Sequence, residues 1–330
     1  AKLELISNKH KMSSKKNRPS KLQPVISGHE TFTLKYGWIK KIVDEIGKAE
    51  TANPEDTKTI FSDPSSIVRF GIGKNMVNSL KYWAKYVGLI DPISYTLTKF
   101  AKDFFSDDGC DPYLESSETV WLVHYKLVCN EQLVTYSWFF NNYNGGAFDR
   151  KSILSDLVEQ FEKEGWRLAS EATLKRDVEC FIRLYSSKNI TKAKATDESI
   201  ESPLRELGLI KEGTNKNVLS INREEKLGLS AELALYMVLD FWEKQNTNQT
   251  TLSFNSLLYD KNSIGRLCLL NESALNKIIL DLDKKFSDQI SWAETSGMRQ
   301  FSKVSGKNIG ELRDSAYDQL INKINGHAPR

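Results

Sequence analysis

The chain has 330 residues, of which 40% are hydrophobic and 10% aromatic, and it carries 46 Lys+Arg against 43 Asp+Glu. This length and composition predict a globular protein of two or three domains and exclude a disordered chain. The formal charge of +3 is small, so any signal for nucleic-acid binding must be local. No apolar run reaches the roughly 18 residues of a membrane span, so we expect neither a membrane span nor a secretory signal.

Residues 1–24 are rich in lysine and poor in acidic residues, which predicts a flexible basic arm. Such an arm either follows phosphates or acts only as a solubilising tail, and the sequence leaves both open. Met12 opens the sequence MSSKK and is a candidate natural start.

Residues 25–108 predict a winged helix-turn-helix that binds DNA. The spacing of Leu34, Trp38 and Ile42 indicates a helix from Thr33 to Ile46. The stretch from Phe61 to Ile90 then reads as helix, glycine turn and helix. The strand-like residues 95–98 would form the wing.

The second helix of this motif has one apolar face and one basic, amide-rich face. Met76, Leu80, Trp83 and Val87 follow helical spacing and predict the buried face. From Pro64 to Ile90 the chain contains no acidic residue, which favours contact with a nucleic-acid backbone. The predicted DNA-contacting residues are Lys35, Arg69, Lys74, Asn75, Asn78, Lys81, Tyr82 and Lys85. The alternative is an ordinary helical hairpin with a solvated polar face.

The sequence Gly71-Ile72-Gly73-Lys74 resembles the end of a phosphate loop, but the pattern is incomplete. Val68 stands where such a loop needs glycine, and Asn75 stands where it needs Ser or Thr. We therefore see no ATP site in this segment.

The rest of the chain predicts further helices. Residues 109–188 read as a helical core, with buried helices expected from Glu118 to Leu133, Lys151 to Lys163 and Ser170 to Ser187. The polar residues 189–202 read as a linker. Residues 203–330 predict a helical domain with a second wing, because Gly208-Leu209-Ile210 followed by a turn and Val218–Ile221 repeats the order seen after Gly88. The fold class is therefore mainly α with small β-wings.

The cysteines Cys129, Cys180 and Cys268 lie in apolar stretches and match no zinc spacing, as expected for core residues of a reduced, cytoplasmic protein. The adjacent His29 and Glu30 are the best candidates for a catalytic base and carboxylate. The alternative is that they cap and brace the following helix.

Two more residues with titratable side chains fit structural roles better than catalytic ones. His124 lies in an apolar run and is expected to be a hydrogen-bonded core histidine. Asp177 follows Lys175-Arg176 and is expected to form a surface ion pair.

Several motifs together resemble one known family. They are Ser27–Phe32 with Lys35–Trp38, then Phe70–Val77 with Tyr82-Trp83 and Gly88–Ile90, then Thr119–Tyr125, and more weakly Ser202–Ile210. The combination resembles the SspB-type component of bacterial DNA phosphorothioation systems, from about Val25 to the C-terminus.

This resemblance implies a role in anti-phage defence beside a cysteine desulfurase, an ATPase and an adenylating sulfurtransferase. These systems replace a non-bridging phosphate oxygen of DNA with sulfur, and the SspB-type member is thought to nick one strand for the insertion. The resemblance assigns no catalytic residues; a divalent metal, Mg²⁺ or Mn²⁺, is compatible with such chemistry but its ligands are unknown. The alternatives are a non-catalytic adaptor that holds duplex DNA for the sulfur-transfer enzymes and a winged-helix transcription regulator.

Overall fold

The computed structural model describes residues 22–187, 202–213, 217–245, 249–295, 297–304, 306 and 308–327. Residues 1–21 of the predicted basic arm and residues 189–201 of the predicted linker lie outside the described residues. Within the described part, the protein is mainly helical and carries small sheets, which confirms the predicted fold class.

Helices account for most of the described first half of the chain. They are α1 (Trp38–Ala52), α2 (Ser66–Phe70), α3 (Lys74–Tyr86), α4 (Lys99–Phe105), α5 (Ser117–Val128), α6 (Val134–Asn142), α7 (Arg150–Glu164) and α8 (Glu171–Tyr185). A short 3₁₀ helix, Pro54–Lys58, follows α1.

The second half alternates helices with short strands. A second 3₁₀ helix spans Pro203–Leu207. The remaining helices are α9 (Ala231–Lys244), α10 (Phe254–Tyr259), α11 (Ile264–Leu267), α12 (Glu272–Lys285) and α13 (Ile309–His327).

The strands form two sheets. β1 (Ala147–Phe148), β2 (Ser186–Ser187), β3 (Ile210–Glu212) and β4 (Leu219–Ile221) make a four-stranded sheet in the order β1-β4-β3-β2. β5 (Thr251–Ser253), β6 (Ile290–Thr295) and β7 (Met298–Lys303) make an antiparallel sheet in the order β5-β7-β6.

Glycines set the boundaries of the first helices. Gly37 has φ 76° directly before α1, so α1 begins at Trp38 and not at Thr33 as the apolar spacing predicts. Gly71, at φ 62°, ends α2, and the extended Gly73 precedes α3. A left-handed conformation costs most other residues about 1 kcal/mol or more, which explains a glycine at the turn between α2 and α3.

The predicted strand over residues 95–98 is wrong. Tyr95 has φ 61°, outside the extended region of a strand, and before it Asp91 accepts hydrogen bonds from the N–H groups of Ile93 and Ser94, which closes a turn. Only an isolated bridge between Ile90 and Leu97 pairs the two sides in this described segment. The second predicted hairpin does form, since β3 and β4 pair with Lys211 opposite Ser220.

The predicted helix from Glu118 to Leu133 is also wrong in its length. α5 ends at Val128, and α6 begins at Val134 after a turn in which Leu133 N–H donates to the Asn130 carbonyl. Both helices are apolar on most sides and lie in the core, as the sequence predicts.

One hydrophobic core runs from Ile26 to Ile324. Contacts between α9 and α13 form its C-terminal part, and aromatic side chains of α5, α6 and α8 form its centre. The division into domains at residues 108 and 203 stays a prediction. Among the described residues, no helix is both long and apolar enough to cross a membrane.

Candidate nucleic-acid interface

The exposed side of α3 carries most of the predicted DNA-contacting residues. Arg69, Lys74 and Asn75 are exposed, whereas Asn78 and Lys81 are half-buried. Leu80, Trp83 and Val87 of the predicted apolar face are buried in the core, whereas Met76 is only half-buried and its neighbour Val77 is buried instead. The amphipathic pattern of the sequence therefore predicts which side of α3 faces the core.

The cations of this surface form no ion pair in the part of the chain that the structure describes. The charge of Arg69 only adds to the Ser65 hydrogen bonds that lower the pKa of the exposed Asp63. We call Arg69, Lys74, Lys81 and Lys85 the α3 cations. None of them lies within 4.0 Å of a carboxylate oxygen of a described residue, although most exposed lysines elsewhere, such as Lys48 and Lys58, do. An exposed cation without a partner can neutralise the charge of an external ligand.

Aromatic rings orient two of these lysines. Lys81 Nζ lies 5.2 Å from the centre of the Tyr95 ring, and Lys85 Nζ lies 5.2 Å from the Tyr86 ring. Cation–π contacts of this kind hold the stem of the lysine while the ammonium stays hydrated. Lys35, farther along the chain towards the N-terminus, lies over Trp38 in the same way at 5.9 Å.

The start of α3 offers backbone donors. Within the described chain, no side chain caps this helix, because the N-cap is Gly73. The free N–H groups of the first turn and the positive end of the helix dipole therefore lie beside the exposed Lys74. This combination suits a phosphate oxygen.

Tyr82 does not belong to this surface, which corrects the sequence assignment. Its side chain is only 5% exposed and packs against Tyr86, Trp83 and the ring of His29. At a helical step of 100° per residue, Tyr82 lies at the margin between the two faces, and the core contacts decide its position.

The segment Gly28–Phe32 holds α3 against the core. The Phe32 carbonyl accepts hydrogen bonds from Trp83 Nε1 at 3.1 Å and from the Cys180 thiol at 3.7 Å. The guanidinium of Arg183 donates to the Thr31 carbonyl. The motif that carries the family resemblance is therefore a clamp between α3 and α8.

His29 is the buried centre of this clamp. It is 2% exposed, its Nε2 lies 3.0 Å from Asp177 Oδ1, and its Nδ1 accepts from Thr31 N–H at 3.0 Å. A backbone N–H cannot accept, so Nδ1 carries the lone pair and Nε2 carries the proton given to Asp177. Both ring nitrogens thus have protein partners.

Burial and charge oppose each other at this pair. Burial lowers the pKa of His29, but the hydrogen bond to Asp177 outweighs it and raises the pKa above its ordinary value. Burial also raises the pKa of Asp177, against the hydrogen bonds from His29 and Thr135. The raised pKa favours a charged ring, but Thr31 N–H donates to Nδ1 and requires a lone pair there. The two observations disagree, and the hydrogen-bond geometry describes a neutral His29 because a protonated Nδ1 cannot accept.

Asp177 is therefore not a surface ion pair, and that prediction is wrong. It is fully buried and accepts from His29 and from the Thr135 hydroxyl. Its charged neighbours Lys175 and Arg176 are exposed on the other side of α8. The sequence could not show this, because the partners of Asp177 lie 148 and 42 positions away.

The assignment of His29 and Glu30 as a catalytic pair stays a prediction. Glu30 is exposed with φ 49°, and Thr31 has φ 65°, so the loop adopts a strained backbone that the clamp holds in place. The partners of His29 favour a bracing role, as in the alternative, but they join this loop to α8, and in the described chain no side chain caps α1. In the described part of the chain, no three His, Cys, Asp or Glu side chains come together as a metal site.

His124 is a hydrogen-bonded core histidine. Its Nδ1 lies 2.7 Å from the Tyr185 hydroxyl and its Nε2 lies 2.8 Å from the Leu267 carbonyl, and the ring is fully buried. Burial lowers its pKa to about 4, only partly offset by the Leu267 carbonyl. Cys110, Cys180 and Cys268 are buried free thiols, and Cys129 is a half-buried one.

A family model described as a protein of unknown function (DUF4007) matches residues 26–317. The chain belongs to this family. A search of curated proteins gives no match.

Two solved structures share the fold of this DUF4007 protein. A magnesium ion-bound SspB crystal structure superimposes with a TM-score of 0.77 at 21% identity, covering 92% of this chain and 90% of that one. An SspB crystal structure superimposes with a TM-score of 0.76 at 20% identity, covering 91% of this chain and 89% of that one. The likeness confirms the resemblance to SspB at the level of the fold.

Proposed function

We propose that this protein is a duplex-DNA-binding component of a bacterial DNA phosphorothioation system. The observation that carries the proposal is the surface formed by the end of α2 and the polar side of α3, where the α3 cations form no ion pair with a carboxylate of the described residues. The fold shared with SspB and the motifs from Ser27 to Ile210 support the particular system.

In this proposal α3 lies in the major groove and α2 crosses the backbone. Arg69, Lys74 and the free N–H groups of the first turn of α3 contact phosphates. Asn75 and Asn78 reach base edges, where an amide pairs with adenine through two hydrogen bonds. Lys81 and Lys85 follow the backbone farther along the groove.

Binding to a short labelled duplex, followed by fluorescence anisotropy, tests the DNA-binding part. We expect an affinity that falls steeply with salt, because released counterions drive contacts of this kind. A protein that leaves the anisotropy unchanged at low salt would overturn the proposal. An operator-like preference for one sequence would favour the transcription regulator.

The proposed partners are the cysteine desulfurase, the ATPase and the sulfurtransferase of such a system. As an adaptor, the protein would hold duplex DNA while these enzymes transfer sulfur. Co-purification of the tagged protein with each enzyme, with and without DNA, tests this role. Recovery of none of them would contradict it.

Strand nicking is the second candidate function. A magnesium ion in one of the similar SspB structures favours it. Supercoiled plasmid incubated with the protein and Mg²⁺ or Mn²⁺ gives open circles if the protein nicks. The exposed Glu30 permits a clean test, because Glu30→Ala should not disturb folding, whereas His29→Ala removes a buried hydrogen-bond partner.

The outcomes separate the two functions. Open circles from wild type and none from Glu30→Ala would assign the carboxylate to the reaction. Open circles from both proteins would keep nicking and remove Glu30 from it. Plasmid that is bound but not nicked leaves the adaptor role.

A further inference from the structure

A second cationic site lies in the C-terminal half of the chain. A cavity of about 310 Å³ opens where the loop after α6 meets α11 and the start of α12. Its polar lining consists of Asn144, Arg223, Tyr259, Arg266, Asn271 and Glu272. None of these residues takes part in the α3 surface.

Both arginines of this cavity are fixed by neutral groups. Arg223 Nη2 donates to the carbonyls of Tyr143 and Gly145 at 3.4 and 3.5 Å. Arg266 donates from Nε to the Tyr259 carbonyl at 3.2 Å and from Nη1 to Asn144 Oδ1 at 2.6 Å. Neither guanidinium lies within 4.0 Å of a carboxylate oxygen in the described ranges.

The two positive charges repel each other. Burial lowers the pKa of Arg223 first, and the charge of Arg266 lowers it further. Two half-buried guanidinium groups next to one cavity raise the free energy of the empty site, and an anion between them would remove this cost.

The remaining charges at the site also matter. Glu272 is an exposed carboxylate that lines the cavity, and its Oε1 accepts from the Tyr259 hydroxyl at 3.3 Å. The negative charge of Glu272 offsets the positive charge of one of the two arginines. The N-terminus of α12 adds positive potential, since Asn271 caps the helix through Ala274 N–H and lines the same cavity.

We propose that this cavity binds a phosphate group, held by the remaining N–H groups of Arg223 and Arg266. A guanidinium group carries five N–H donors, so each arginine keeps donors for a phosphate beside those given to its neutral partners. The phosphate belongs either to a nucleic-acid backbone or to a free phosphorylated ligand. This proposal stands independently of the proposed function.

Titration of the full chain with inorganic pyrophosphate, measured by calorimetry at constant ionic strength, tests the site. Arg266→Gln should weaken binding by about tenfold or more, since it removes a charged hydrogen-bond donor. Glu272→Gln should strengthen binding by about two- to fivefold, since it removes a nearby negative charge. Arg176→Gln, an exposed arginine on α8, is the matched control and should bind like wild type.

Urea unfolding of each variant checks that the fold is kept, and Glu272→Gln leaves both arginines and their hydrogen bonds in place. Absence of binding to wild type, or equal binding by wild type and Arg266→Gln, would overturn the proposal. So would weaker binding by Glu272→Gln.

Labelled duplex DNA distinguishes the sources of the phosphate. If Arg266→Gln loses DNA affinity together with pyrophosphate affinity, the site contacts the DNA backbone. If only pyrophosphate binding falls, the site takes a free phosphorylated ligand. The test of the cavity is separate from the test of DNA binding by α3. Lys74→Glu with Lys81→Glu should leave pyrophosphate binding unchanged, whether or not it changes DNA affinity.

Discussion

Two buried histidines are each held as one tautomer by partners that are distant in sequence. Asp177 lies 148 positions from His29, and the Leu267 carbonyl lies 143 positions from His124. The sequence indicates a core role for His124, because its neighbours are apolar. It gives no such sign for His29 or Asp177, whose neighbours are polar, so their burial depends on tertiary contacts alone.

The pair of His29 and Asp177 should contribute strongly to stability. Asp177→Ala leaves buried donors on His29 and Thr135 without an acceptor and should lower the free energy of unfolding by about 2–5 kcal/mol, at about 1–3 kcal/mol for each unsatisfied donor. Asp177→Asn should cost clearly less, since its Oδ1 still accepts from Nε2–H of a neutral His29. Urea unfolding measures both, and an equal loss in the two variants would contradict the neutral tautomer.

His124 should make stability depend on pH. In the unfolded chain His124 takes up a proton below pH about 6.5, whereas in the folded chain it does so only below pH about 4. Stability should therefore fall by about 3 kcal/mol as pH falls through this window. His124→Gln keeps a donor and an acceptor but does not titrate, so the variant should lose less stability than wild type between pH 7 and pH 4. Identical pH profiles would exclude this role.

At the scale of elements, local sequence patterns predict the helices, but they do not predict the backbone conformation of short turns. The apolar spacing of Leu80 and Trp83 correctly predicts the side of α3 that is buried in the core. The strand expected after Pro92 is reduced to one bridge between Ile90 and Leu97, because Tyr95 adopts a left-handed backbone at φ 61° after the turn that Asp91 closes. Tyr82 is misassigned because helical spacing does not distinguish an aromatic ring at the edge of the core from one in solvent.

The turn between α2 and α3 should depend on Gly71 and not on Gly73. Gly71 has φ 62° and Gly73 has φ −66°, and an added Cβ meets no atom within 4 Å at either position. Gly71→Ala should therefore lower the free energy of unfolding by about 1 kcal/mol through backbone strain alone. Gly73→Ala is the matched control and should be neutral or slightly stabilising. A similar loss for both variants would argue against the left-handed turn.

At the scale of the whole molecule, side chains join the segments that the sequence divides into domains. The Tyr317 hydroxyl donates to Asp103 Oδ2 at 2.9 Å, and Trp121 Nε1 donates to the Leu227 carbonyl at 3.1 Å. Composition can predict a polar linker, but it cannot show that α13 packs against the ring of Phe104.

We therefore expect the chain to unfold in one cooperative step. Differential scanning calorimetry should give a calorimetric enthalpy close to the van't Hoff enthalpy. Tyr317→Ala should lower the midpoint without splitting the transition. Two resolved transitions in wild type would favour the domain boundaries predicted near residues 108 and 203.

The central claim is that α3 contacts duplex DNA through the cations of its polar side. The measurement that tests it most directly is the salt dependence of duplex affinity for wild type, Lys74→Glu/Lys81→Glu and a control, Lys175→Glu/Lys284→Glu. The control changes the net charge equally at exposed lysines outside the α3 surface. We predict that the α3 variant loses affinity and that its slope of log K against log salt shrinks by about 2, while the control stays near wild type. Equal affinities and slopes for all three proteins would contradict the assignment of α3 as the DNA-contacting helix.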